Sequence, residues 1–197
     1  MMERSKEKKE QKKRIVPIWV CILIFIGAFF AGMISKVAIK PAWSTKYTAT
    51  WSEELGTKIT DISYGDGEAN KFDLYLPKDS TKDTYGLVIY LHAGGFTSGD
   101  KADDENMLAW LCSKGYVAAG INYTLRTDTN NASVLLQSNE IKEAIPIVVE
   151  EAKNRGYNID KMTVAGGSAG HALAMIYAYR DAQDAPVPVV FTFGAVG

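Results

Sequence analysis

The chain has 197 residues, 47% of them hydrophobic, and a formal net charge of −1. That length suits one domain with an appendage, and the near-neutral charge gives no global electrostatic basis for binding nucleic acid. The two cysteines, Cys21 in an apolar run and Cys112 in a predicted helix, have no cysteine or histidine at metal-ligand spacing. They read as small buried apolar residues and not as a disulfide.

Residues 1–14 form a basic tail, with seven basic and three acidic side chains. Residues 15–34 (IVPIWVCILIFIGAFFAGMI) carry no charge and are long enough to cross a bilayer as a helix. We take 15–35 as a transmembrane signal anchor, with the tail cytoplasmic under the positive-inside rule and the remainder extracytoplasmic. A cleaved signal peptide, giving a secreted protein, is the rival reading. It needs small residues at −3 and −1, but Ala31 follows Phe29 and Ala38 follows Lys36. Residues 36–56 read as a linker. Its Trp43, Tyr47 and Trp51 fit either a membrane interface or packing on the domain.

The folded domain is predicted over 57–197. Lys58–Tyr64 and Lys71–Leu76 alternate around a Gly65-Asp66-Gly67 turn, which predicts an antiparallel pair at a sheet edge. From Gly86 the pattern changes. Gly86–Leu91, Tyr116–Tyr123, Lys161–Ala165 and Val187–Phe193 are apolar runs of strand length. Helices are predicted over 102–114, 136–154 and 169–180, ended in the first two cases by Gly115 and Gly156. Strands alternating with helices predict an α/β fold, a mostly parallel sheet wound on both faces.

One turn could carry chemistry. Gly166-Gly167-Ser168-Ala169-Gly170 fits Gly-x-Ser-x-Gly between a strand and a helix, where a serine hydroxyl stands clear for attack. The N–H of Ala169 can donate to an oxyanion. A second donor can come from His92-Ala93-Gly94-Gly95, after another core strand, where glycines let the backbone approach a substrate oxygen. His171, Asp181 and Asp184 are the titratable groups nearest in sequence. Asp181 and Asp184 read as solvated or capping, and His171 as packing beside the turn. The triplets at Asn122 and Asn131 match a glycosylation signal by chance, the first lying in a predicted core strand.

Four stretches, DLYLP (73–77), VIYLHAGGFTSGDK (88–101), GYVAAGINYTLR (115–126) and VAGGSAGHALA (164–174), resemble the α/β-hydrolase fold family. Within it they are similar to the esterase and lipase branch of hormone-sensitive lipase and bacterial carboxylesterases. The resemblance implies Ser168 as nucleophile, Gly94, Gly95 and Ala169 as oxyanion hole, and His92 as a brace for its loop. It also implies a small-molecule ester substrate and no metal or organic cofactor. Ala93 departs from the family's His-Gly-Gly-Gly. The family's triad acid and histidine lie on later loops that this sequence does not contain, so we expect a C-terminally truncated member with an incomplete sheet. The rival readings are a non-catalytic binding module at the cell surface, or a serine peptidase, thioesterase or acyltransferase of the same fold.

Overall fold

A computed structural model describes residues 17–38 and 47–195. The chain divides into two units after Thr45. The first contains α1 (Ile18–Ala38), which starts where the Pro17 carbonyl accepts from the N–H of Val20. Apart from half-buried Val20, every side chain from Ile18 to Ser35 is exposed. Cys21 is therefore exposed and not buried, because this apolar run packs on no protein surface of its own unit. The basic tail and Trp43 lie outside the described residues.

The second unit is a six-stranded mixed sheet with helices. Its strands are β1 (Gly56–Ser63), β2 (Lys71–Pro77), β3 (Tyr85–Leu91), β4 (Val117–Ile121), β5 (Ile159–Gly167) and β6 (Val189–Ala195), in the spatial order β1-β2-β4-β3-β5-β6. β1 and β2 run antiparallel to their neighbours, while β4, β3, β5 and β6 are mutually parallel. The helices are α2 (Glu105–Ser113), α3 (Val134–Asn154) and α4 (Ala169–Ile176). The main core lies between the sheet and α3 and α4, built from Leu87, Ile89, Leu91, Val164, Ile141, Ile145 and Leu173 among others. A smaller cluster, Tyr75, Leu108, Cys112 and Ala118, lies between the sheet and α2. Tyr47 packs edge-on against Trp110 and Trp51 against Tyr75, so both aromatics belong to the folded unit.

Three expectations change. β2 alternates in sequence, yet Phe72 to Pro77 are all buried, because β4 flanks it on the inner side and α2 covers its second face. The polar residue on that face, Asp73, accepts an ion pair from the buried Lys101 at 3.2 Å. The predicted helix 102–114 begins as a 3-10 turn, Lys101–Asp104. There the Asp100 carboxylate accepts from Ala102 N–H, and the Asp103 carboxylate accepts from Asp100 N–H. β4 ends at Ile121, so Asn122 sits in a loop, its amide bonded to Asp100 and to Lys101 N–H. At the outer side of the sheet, Val190, Phe191 and Phe193 of β6 are exposed.

Candidate active site

β5 delivers the chain into a turn too tight for side chains. A Cβ on Gly166 would lie 2.3 Å from the carbonyl carbon of Gly170, and one on Gly170 would lie 2.0 Å from the carbonyl oxygen of Leu91. The two terminal glycines of the pentapeptide are thus required by close backbone approach, and Gly170 seats the first turn of α4 on the end of β3. Between them Ser168 has φ 46° and ψ −110°, a conformation that L-residues rarely adopt. Serine at a helix N-cap ordinarily turns its hydroxyl back to the second or third N–H. Ser168 makes no such bond and is exposed, so its hydroxyl is not spent on the helix end.

The end of β3 brings a second turn alongside. A Cβ on Gly167 would touch the Cβ of Ala93 at 3.4 Å. Residues Gly94, Gly95 and Phe96 have φ of 130°, 60° and 68°. Ala93 is not among the residues with positive φ, which is why a methyl is tolerated where the resemblance has glycine. The Gly94 carbonyl accepts from the N–H groups of Thr97 and Ser98 and from Ser98 Oγ. No described residue accepts from the N–H of Gly94 or Gly95. The N–H of Ala169 opens α4, where the first turn leaves its donors unused. The arrangement is one exposed hydroxyl with free backbone donors on two adjoining turns.

His92 is buried, and its ring stacks on Tyr123 at 4.4 Å. Its Nδ1 lies 2.7 Å from the Ala93 carbonyl, and its backbone carbonyl accepts from Tyr123 Oη at 3.0 Å. Burial pulls the imidazole below its usual pKa, partly offset by the Ala93 carbonyl. A neutral ring donating from Nδ1 satisfies this geometry and leaves Nε2 as a buried acceptor without a described partner.

Among the described residues, no titratable side chain is hydrogen-bonded to Ser168, and the Tyr90 hydroxyl lies 3.3 Å from a Cβ placed on Gly167. His171 lies against Gly194 of β6, where an added Cβ would meet its Cγ at 2.4 Å. Asp181 is buried and not solvated. It pairs with Arg180 at 2.7 Å and Lys142 at 3.3 Å, which ties the helical turn that follows α4, Tyr177–Asp181, to α3. Burial raises its pKa, and the bonds from Arg180 and Lys142 outweigh that and hold it low. Asp184 is exposed and pairs with Lys142 at 3.0 Å.

Sequence reasoning missed two residues near the loop. Gln137 is fully buried, and Glu140 accepts from Thr124 N–H, Thr124 Oγ1 and Asn70 Nδ2. Their signal is positional. Gln137 falls four residues before Ile141, and Glu140 four before Ala144, on the stripe that α3 buries.

Residues 72–189 match the family model BD-FAE. Among curated proteins, the chain is 28% identical over 137 residues to a kynurenine formamidase of Salmo salar, covering 69% of this chain and 44% of that protein. It is 30% identical over 120 residues to a kynurenine formamidase of Danio rerio, covering 60% and 38%. A probable carboxylic ester hydrolase, LipM, of Mycobacterium tuberculosis is 26% identical, covering 60% and 27%. The chain thus spans less than half the length of these relatives. Among solved structures, esterase B of Lactobacillus rhamnosis superposes with a TM-score of 0.59 at 22% identity, over 90% of this chain and 56% of that one. Thermogutta terrifontis esterase 2, phosphorylated by paraoxon, gives 0.56 at 22% identity, over 72% and 58%. At these identities the structures speak to fold alone.

Proposed function

The chain belongs to the BD-FAE family of α/β-hydrolase-fold esterases, and from that premise we propose that it carries the nucleophile and oxyanion site of a serine hydrolase acting on carboxylic esters. The reading rests on Ser168, held at φ 46° with an unbonded hydroxyl beside the turn that bears the unused donors of Gly94 and Gly95. In this reaction Ser168 Oγ attacks the ester carbonyl carbon, and its proton passes to a base. The carbonyl oxygen becomes an oxyanion that accepts from the N–H groups of Gly94, Gly95 and Ala169. The bond to the alcohol then breaks, the alcohol leaves with a proton, and water hydrolyses the acyl-serine. Each donor contributes roughly 3 kcal/mol to the transition state in enzymes of this kind.

Among the described residues, no side chain is hydrogen-bonded to Ser168 as its base. The sequence has two histidines. One is stacked and buried in the loop, and the other lies against β6. The reading therefore assigns the base and its acid to residues outside these 197. A fluorophosphonate probe tests it. The product of the complete reading frame should be labelled, and Ser168→Ala should lose the label together with turnover of a short-chain ester. Labelling that survives Ser168→Ala would remove the nucleophile assignment, and no labelling of the parent would favour a binding module. The relatives named as formamidases support a second substrate class, an aryl formamide cleaved by the same acyl transfer. Faster turnover of formanilide than of phenyl acetate would select it.

We also propose that α1 anchors the protein in a bilayer, with residues 1–14 cytoplasmic and the hydrolase unit outside. Support comes from its length, its uncharged composition and the basic tail before it.

A further inference from the structure

The two glycines that offer free donors are the least self-determined part of the site. Gly94 and Gly95 have more backbone freedom than any other residue type. Oxyanion donors stabilise charge only when fixed before the reaction begins. Inside the segment the Gly94 carbonyl is held by Thr97 and Ser98, so where the turn as a whole sits is set by what holds its two ends. At the strand end, the His92 carbonyl accepts from Tyr123 Oη at 3.0 Å. At the outer end, the Phe96 carbonyl accepts from Arg126 N–H at 2.9 Å and from Gln137 Nε2 at 3.0 Å. The second hydrogen of the same amide goes to the Thr124 carbonyl at 2.8 Å. Gln137 is 0% exposed, and both its donors are spent on carbonyls of two different loops. Its amide cannot be flipped, because the oxygen would then face two carbonyl oxygens.

We propose that Gln137 is a positioning residue for the oxyanion loop: from α3 it joins the Phe96 carbonyl to the Thr124 carbonyl and so fixes where the N–H groups of Gly94 and Gly95 point. The inference rests on the hydrolase reading for its consequence in rate, but the pinning itself is a property of the folded chain. Arg126 N–H ties Phe96 to the loop after β4, which Glu140 of α3 also holds through Thr124. Gln137 ties both loops to a long helix whose next turns, through Ile141 and Ile145, are in the main core.

The test uses Gln137→Leu, close in volume but without donors, in the product of the complete reading frame. Two readouts are taken. With a short-chain ester, kcat should fall roughly tenfold or more while KM stays within about twofold, the signature of an interaction felt in the transition state. Amide hydrogen exchange by NMR should quicken at least about tenfold at Thr97, Ser98 and Arg126, with Ile89 in β3 unchanged. Ser168→Ala should leave those exchange rates as in the parent. Gln137→Glu keeps the length and packing. Its ionised form would face two carbonyls, so exchange at Arg126, corrected for intrinsic rate, should be slower at about pH 5 than at about pH 8. Unaltered exchange in both variants overturns the proposal, as does faster exchange with unchanged kcat in a parent whose turnover depends on Ser168. A parent without Ser168-dependent turnover sinks the hydrolase reading instead, and the exchange rates still decide whether Gln137 pins the loop.

Discussion

Ser168 shows how a single residue can be held against its own preference. Its φ and ψ cost about 1–3 kcal/mol, a strain sustained by the packing of Gly166 and Gly170 on either side. Glycine would release that strain, and its extra freedom in the unfolded chain would take back about 0.5–1 kcal/mol. Ser168→Gly is therefore expected to be more stable than Ser168→Ala by about 1 kcal/mol, or roughly 2–4 °C in Tm for a unit of this size. Both variants lose the hydroxyl, so the comparison isolates the backbone. Equal melting temperatures would mean that the turn is relaxed. This residue was legible in the sequence because small neighbours on both sides of a serine are a local pattern with a local cause. Gln137 was not legible in the same way. Its two acceptors lie 41 and 13 residues away, and nothing local marks a glutamine whose partners are carbonyls of other loops.

The elements were legible where each one's own composition decided its environment. β3 and β4 are apolar without alternation and largely buried, and β5 is buried from Met162 to Gly166 on the way to the serine. The start of α3 shifted by two residues, from 136 to 134, because Ser133 Oγ takes the N–H of Leu136. The antiparallel pair of β1 and β2 stands at the sheet edge, as its alternation indicates, but Asp73 and Tyr75 face an interior, because α2 packs on Tyr75 and Lys101, in the turn before α2, pairs with Asp73. The same turn carries a testable electrostatic feature. Asp104 precedes α2 without making a cap bond, and burial, reinforced by the charge of Asp103, pushes its carboxyl up to about 6 from 3.8. The native state then binds more protons than the unfolded chain between those values. The favourable protonated form is fully present below about pH 4, and its contribution is lost as pH rises through about 6. Asp104→Asn removes the buried charge and keeps a good N-cap residue. It should stabilise the protein by about 1 kcal/mol at neutral pH, the raw linkage being reduced by solvent at a half-exposed site and by the lost charge at a helix N-terminus. The gain should vanish near pH 4. Thermal melts of parent and variant at both pH values check it, and a gain that is independent of pH would remove the electrostatic cause.

At the scale of the whole molecule, local patterns gave the alternation of strands and helices but not the order of the strands. That order depends on which edge each crossover returns to, and β4 comes to lie between β2 and β3. The chain divides at Thr45 into two units, and under the proposed anchoring the two would require different solvents. α1 exposes Trp19, Ile22, Phe25, Phe29 and Ile34 together, a side-chain set that water does not stabilise and hydrocarbon does. If α1 spans a bilayer, the full chain should sediment with membranes, resist alkaline carbonate and be released by detergent. Replacing Ile24 and Ile26 with Arg should weaken insertion by about 6–7 kcal/mol, since each arginine near the centre costs about 3 kcal/mol where isoleucine was favourable. Orientation is read with a membrane-impermeant maleimide. Cys112 is buried, so a cysteine in place of Ser80, on an exposed loop of the hydrolase unit, gives a reporter of that unit. Ser80→Cys should react in intact cells, and Ser5→Cys only after lysis. Reaction of both only after lysis would put the hydrolase unit on the cytoplasmic side, and an exported chain that has lost residue 5 altogether would show α1 to be a cleaved signal.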